Sequence, residues 1–387
     1  FLIYGFVTGM TAGFTVLTAQ KFGAGDMKAM RQTVGGAAVL TTIVTIILTT
    51  LGLLFMKPLL IFMKTPSDIF KDAYAYIMII CAGIAAQMLY NLMASILRAL
   101  GNSKVPLYFL ILSALLNIAL DLLLIIVFGL GASGAAYATV IAQGISGLLC
   151  LVYVKLKVPL LHLERDDWRP KGYLLKMQFA VGVPMALQYS ITAIGTMMVQ
   201  TSQNLLGSNI VAAFTAASKI EQVVTQAYVA LGTTMATYCA QNIGAGKWDR
   251  AVKTCKIGTV IAFCISGCIF IVAQTSFEHI LRLFNDEPEM IKYGVQYIRT
   301  FSFDYLLMPF VFCVNGLFTG AGHTAFSMVN NMLSAIILRV PVAVVFGLVL
   351  HLGLTGVGLG GPMASVGAII LIVVFLISGR WKENKAL

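Results

Sequence analysis

Charge is what this sequence has least of. Of 387 residues only 11% are Asp, Glu, Lys or Arg, where an ordinary soluble domain carries roughly 25%. That excludes a soluble globule. Histidine is also scarce. The four, His162, His279, His323 and His351, fall in or beside expected loops, so no histidine metal site sits in an apolar segment. Metalloprotease, P-loop and dinucleotide-binding motifs are absent. The seven cysteines fall almost entirely in apolar stretches and suggest no disulfide framework. Cys264 and Cys268 are i,i+4 neighbours without a nearby histidine, which reads as packing rather than metal binding.

What the chain has in quantity is apolar length. It is 59% hydrophobic with mean hydropathy +0.91. Continuous apolar runs of about 20 residues recur from end to end, each long enough to cross a bilayer as a helix. Continuous rather than alternating runs exclude a β-barrel. The fold class is an all-α polytopic membrane protein. Eleven spans are expected, at about 1–20, 33–55, 72–99, 105–130, 132–155, 177–206, 210–240, 252–276, 290–319, 324–350 and 354–378. The sequence opens inside an apolar helix, with no initiator Met, basic n-region or cleavage site, so a preceding helix is expected to be missing.

The net charge of +11 invites a nucleic-acid partner, but lysine and arginine also mark cytoplasmic loops. Placing the loop after the first span inside puts 18 basic residues on the cytoplasmic side, among them Lys21, Arg31, Arg98, Lys155, Lys253 and Lys382. Only Lys57, Lys64, Lys71, Arg282 and Lys292 are then clearly outside. The C-terminus is therefore expected in the cytoplasm, in a bacterial plasma membrane, with no nucleic-acid partner. Two polar stretches exceed tight turns: Lys155 to Lys176, and Glu278 to Lys292 around Asn285 and Asp286. The first divides the chain. The expected organisation is an N-terminal lobe at 1–155, a cytoplasmic linker at 156–176, a C-terminal lobe at 177–378 and a tail at 379–387.

The two lobes repeat. Gln20-Lys-Phe-Gly23-Ala-Gly25 is echoed by Gln241-Asn-Ile-Gly244-Ala-Gly246, and Gly101-Asn102 by Gly322-His323, both at an offset of 221. Gly131-Ala-Ser-Gly134 is echoed by Gly353-Leu-Thr-Gly356 at 222. Register held over more than a hundred residues makes chance unattractive. The span at 177–206 has its expected partner before residue 1, so each lobe should have six spans. Six is even, which predicts parallel repeats with a central cleft.

One residue stands out within this frame. Asp121 is the lone charge in the run from Val105 to Leu130. Asn117 precedes it by one helical turn and shares its face. A carboxylate near mid-membrane costs at least a few kcal/mol unless it meets protein, water or an ion. Carboxylate, amide and hydroxyl oxygens suit a proton or a hard cation.

The paired Gln-x-x-Gly-Ala-Gly turns, Leu97-Arg-Ala-Leu-Gly-Asn102 and the six-plus-six layout resemble the MATE family of multidrug and toxin extrusion transporters. Within the family the chain looks like the DinF-like branch, whose ion site lies in the N-terminal lobe. The resemblance implies ion coupling at Asp121, Asn117 and Thr139, with Asn91 and Tyr76 on the preceding span, and Na⁺ at Asp121, Asn117 and Thr139 if the ion is a metal. The first-helix Asp of that branch has no counterpart here. The NorM-like branch carries acids in the second lobe. Here the first helix of that lobe offers Gln188, Thr192 and Gln200, and the fourth offers Asp304 at a different spacing.

Gln87, Gln188, Asp304 and Lys219 are candidates for the substrate cleft, and Lys219 is expected to pair with Asp304 across helices. Phe and Met, 23 and 18 in number, would make any cleft surface compliant towards amphipathic cations. The resemblance implies a monomeric secondary antiporter, not an enzyme. It would have no cofactor and would export small organic cations against H⁺ or Na⁺ by alternating access. A lipid-linked oligosaccharide flippase of the same superfamily is the first alternative, and would want a strongly basic cleft. An intramembrane serine enzyme at Ser133 is the second, weakened by Thr355 at its repeat position.

Overall fold

The computed structural model describes residues 2–62, 65, 67–203, 208–282 and 287–383. Lys64, Asn285, Asp286, Lys385 and the side chain of Gln200 lie outside the described residues. Among the described residues the secondary structure is helical, with no strand. The helices are α1 (Leu2–Gly23), α2 (Met27–Phe62), α3 (Ser67–Ala82), α4 (Ile84–Ala99), α5 (Lys104–Asp121), α6 (Gly131–Lys157), α7 (Gly172–Gln203) and α8 (Ser208–Gly244). They continue as α9 (Trp248–Thr275), α10 (Phe277–Arg282), α11 (Pro288–Phe301), α12 (Phe303–Gly320), α13 (Thr324–Met332), α14 (Val340–Val344), α15 (Gly353–Gly358) and α16 (Gly360–Ile377). By length and apolarity 8 helices qualify as membrane spans, and the bent pair α3–α4 would make 9. Helices α1 and α8, 22 and 37 residues long, are also of spanning length.

Two of the expected continuous spans are broken. The run at 72–99 bends by 46° between α3 and α4 at Gly83, and the run at 290–319 divides at Ser302 between α11 and α12. The first break has a visible cause. A Cβ on Gly83 would overlap the methyl groups of Val140 on α6, so the glycine lets α6 pass close to the bend. Gly147 on α6 similarly lies against the backbone of Tyr90 on α4, 3.0 Å from a Cβ placed there. Small residues at helix contacts are how membrane helices approach closely without a hydrophobic driving force.

The chain divides into two compact units, Val7–Val183 and residues 1–6 with 184–387. In the first, the segment after α6 is docked rather than free. Asp167 is buried, and its Oδ2 accepts from the Arg31 Nε at 3.1 Å and the Glu164 backbone N–H at 3.0 Å. The start of α7 also belongs to this unit. Gln178 Nε2 donates to the carbonyls of Phe14 at 3.0 Å and Thr33 at 2.7 Å, each able to accept it because a carbonyl oxygen has two lone pairs. The second unit is organised around an aromatic cluster in which Tyr297 meets Phe214 and Phe301, and Phe301 meets Tyr305, at 5.1–5.6 Å between ring centroids.

The internal repeat is written in backbone angles. Gly25 and Gly246 have φ of 75° and 72°, Gly101 and Gly322 of 84° and 85°, Gly131 and Gly353 of 54° and 57°. The positive-φ non-glycine among the described residues, His351 at 53°, stands at the repeat position of Gly129 at 65°. The π-helical turns repeat as well. Leu122–Val127 after α5 matches Val345–Val349 after α14 at the 222 offset. The other π segment, Leu333–Arg339, has no π partner in the regular helix α5. A π turn takes up one added residue in a helix. It lies inside the interval where the offset grows from 221 to 222, which accounts for the change. At its end, Arg339 becomes the repeat partner of Asn117 at the 222 offset.

Candidate functional site

Helix α5 packs on α6 and on the π turn that follows it. That packing brings together two of the expected site residues 22 positions apart. Asn117 Nδ2 donates to Thr139 Oγ1 at 3.4 Å, while the Thr139 hydroxyl donates to the Ala135 carbonyl one turn earlier at 3.0 Å. Thr139 thus behaves as membrane threonines commonly do, bonding its own helix, and still accepts from Asn117. Asp121 is the last α-helical residue before the π turn Leu122–Val127. Its Oδ1 is buried and has no hydrogen-bond partner. A buried carboxylate oxygen without a donor is costly in a protein interior.

The other expected residues fall less tightly around this centre. Asn91 is buried on α4, with its Nδ2 donating to the Gln87 carbonyl at 2.9 Å. The Gln87 side chain is buried too, and its Nε2 has no partner. Tyr76 on α3 is 38% exposed. Among the described residues no group of three His, Cys, Asp or Glu is placed to hold a metal. The available donor set is one carboxylate with an amide and a hydroxyl.

In the second unit the sequence misled on one pairing. Asp304 is 3% exposed, whereas Lys219 is exposed, and the two do not form an ion pair among those of the described residues. The groups near Asp304 are instead Arg339, Glu221 and Ser365. Arg339 donates to Glu221 Oε1 at 2.8 Å, and the Tyr297 hydroxyl donates to Glu221 Oε2 at 2.7 Å. The Arg339 guanidinium also lies 5.4 Å above the Phe301 ring centroid. Oδ1 of Asp304 is buried and unpartnered. Gln188 is half-buried on α7. Spacing alone could not have found Glu221–Arg339, since they lie 118 residues apart. The repeat held a partial signal: the 221 offset carries Tyr76 onto Tyr297.

Taken together, membrane-spanning helices, two repeated halves and buried carboxylates that each keep one oxygen without a hydrogen-bond partner define a polytopic helical membrane transporter. Comparison with known proteins gives the family. The family model described as MatE matches residues 1–123 and 180–345. The probable multidrug resistance protein YpnP of Bacillus subtilis is 32% identical over 387 residues, covering 99% of this chain and 85% of that protein. YoeA of the same organism, also described as a probable multidrug resistance protein, is 28% identical, with 100% and 84% covered. A solved outward-facing multidrug resistance MATE family transporter of the MOP superfamily superposes with a TM-score of 0.89 at 22% identity, covering 98% of this chain and 84% of that one. The chain belongs to the MATE family of multidrug and toxic compound efflux transporters. Members of the family are transporters, not enzymes.

Proposed function

We propose that this chain is a secondary active antiporter of the DinF-like branch. It exports small amphipathic organic cations in exchange for H⁺ or Na⁺ by alternating access. It would work as a monomer in the bacterial plasma membrane with its C-terminus in the cytoplasm. The observation that carries this reading is the buried, unpartnered Oδ1 of Asp121 beside the Asn117–Thr139 pair. When a proton or Na⁺ binds, the carboxylate no longer needs hydration, and the α5–α6 contact can tighten. A ligand shifts an equilibrium only through its different affinity for the two states. The ion favours one packing and the substrate the other, so each lowers the affinity for its rival. Relatives described as probable multidrug resistance proteins support export of drug-like compounds.

Proteoliposome efflux of a fluorescent organic cation under imposed proton or sodium gradients tests this. Asp121→Asn should abolish gradient-driven export while leaving membrane insertion intact. Full residual export would remove Asp121 from the mechanism.

A second locus of coupling has one specific observation behind it, the unpartnered Oδ1 of Asp304. Export surviving in Asp121→Asn but lost in Asp304→Asn would move the coupling there. A flippase for anionic glycolipids is less well supported. It needs free basic groups inside the spans, and Arg339 is already committed to Glu221.

A further inference from the structure

A cavity of about 590 Å³ opens where the start of α9 meets the short turn Arg380–Lys382 after α16. Lys253 and Lys256 come from α9, and Lys382 from the turn. Asp249 is the acidic residue on its wall. Two indoles frame it. Trp248 and Trp381 meet edge to face at 6.1 Å, and the Lys382 ammonium lies 5.6 Å over the Trp381 ring. Trp381 is buried and fixed by its Nε1, which donates to the Leu376 carbonyl at 3.0 Å. No lysine of the three has an ion-pair partner among the described residues. The wall therefore carries a net charge of +2 on a rigid aromatic floor.

We propose that this cavity binds the phosphate-bearing headgroup of an anionic lipid. Three lysines lining one opening favour a phosphate anion. Tryptophan pairs suit the headgroup level of a bilayer, where one edge of the ring is wet and the other is not. What selects a lipid over free phosphate is the surface leading away from the opening. Ile257, Val260 and Ile261 on α9, and Val374 and Ile377 on α16, are exposed apolar residues within two to three turns of the cavity. On each helix they offer acyl chains an apolar surface leading away from the lysines, which inorganic phosphate would not use. The site shares no residue with the groups around Asp121 and Asp304 and does not depend on the coupling mechanism.

Native mass spectrometry of the detergent-purified protein can test the assignment. Phosphatidylglycerol, phosphatidylcholine and inorganic phosphate would be titrated in parallel. Phosphatidylglycerol adducts should persist at concentrations where phosphatidylcholine adducts do not, and inorganic phosphate should not compete. Each Lys→Gln change among Lys253, Lys256 and Lys382 should weaken phosphatidylglycerol binding about fivefold. The triple Lys→Arg variant should retain it, and Asp249→Asn should strengthen it. Equal retention of the two lipids, competition by phosphate at the lipid's own concentration, or unchanged binding in the triple Lys→Gln variant would each overturn the proposal.

Discussion

Arg339 donates to Glu221 Oε1 at 2.8 Å, from a π turn to a helix 118 residues earlier. Each oxygen of the Glu221 carboxylate thus accepts a hydrogen bond, Oε1 from Arg339 and Oε2 from the Tyr297 hydroxyl at 2.7 Å. A buried pair of this kind contributes little net stability over apolar residues of the same shape, but its halves are expensive alone. Arg339→Met should therefore destabilise the detergent-solubilised protein by about 3–5 kcal/mol, since it strands Glu221 beside Asp304. Adding Glu221→Leu should restore most of the loss. Thermal unfolding of the two single variants and the double gives the cycle. Additive losses in the double variant would show that the two side chains act separately.

The geometry at Asp121 ranks its neighbours. Asn117 reaches Thr139 at 3.4 Å, near the limit of a hydrogen bond, and Thr139 already spends its proton on Ala135. Asn117→Leu should raise the ion concentration for half-maximal efflux by roughly five- to tenfold, the worth of about one hydrogen bond to a charged or polar site. Thr139→Val should change it less. Efflux titrated against proton and sodium concentration measures both. A loss in Thr139→Val as complete as that in Asp121→Asn would make the hydroxyl a direct ion ligand.

Much of this is legible in the sequence alone. Asp121 announced itself as a lone charge in an apolar run, because solvation cost is a property of composition and depth. The glycine landmarks were equally visible, since positive φ nearly demands glycine, and their angles pair across the repeat within 3° at three positions. What the sequence hid was anything made by distant packing. Glu221, Asp304 and Arg339 were each visible as charges. Their grouping depends on how α8, α12 and the π turn cross, so Lys219 was an equally plausible partner on paper. π turns carry no residue signature, and only the one-residue slip in the repeat offset betrayed one. The breaks at Gly83 and Ser302 were hidden because apolar content continues across them.

Gly83 offers a direct test of the bend between α3 and α4. A Cβ there would collide with the Val140 side chain. Overpacking of this sort costs about 1–3 kcal/mol. Gly83→Ala should lower the unfolding temperature and, by moving α6, reduce efflux through the α5–α6 site. Val140→Ala in the same chain should recover part of both, since the clashing methyls would be gone. The measurement is thermal unfolding paired with transport on the two variants. Gly83→Ala with wild-type stability would mean that α6 is not seated against the bend.

The repeat supplies its own control experiment at Gly129 and His351. Both residues hold left-handed backbone, at φ of 65° and 53°, just after matching π turns. Around Gly129 there is open space for a Cβ, so sterics against neighbours do not decide its identity. Only the backbone cost does, about 1–2 kcal/mol for an L-residue in this region. Gly129→Ala should then destabilise the protein by about that amount. His351→Gly should stabilise it by slightly less, because glycine gives back some of the gain through its larger unfolded-state entropy. Opposite signs at two positions related by the repeat, read by thermal unfolding, would show that the strain belongs to the turn and not to the local sequence. Should both substitutions destabilise, His351 must be held by contacts of its side chain, and the equivalence of the two turns would end at the backbone.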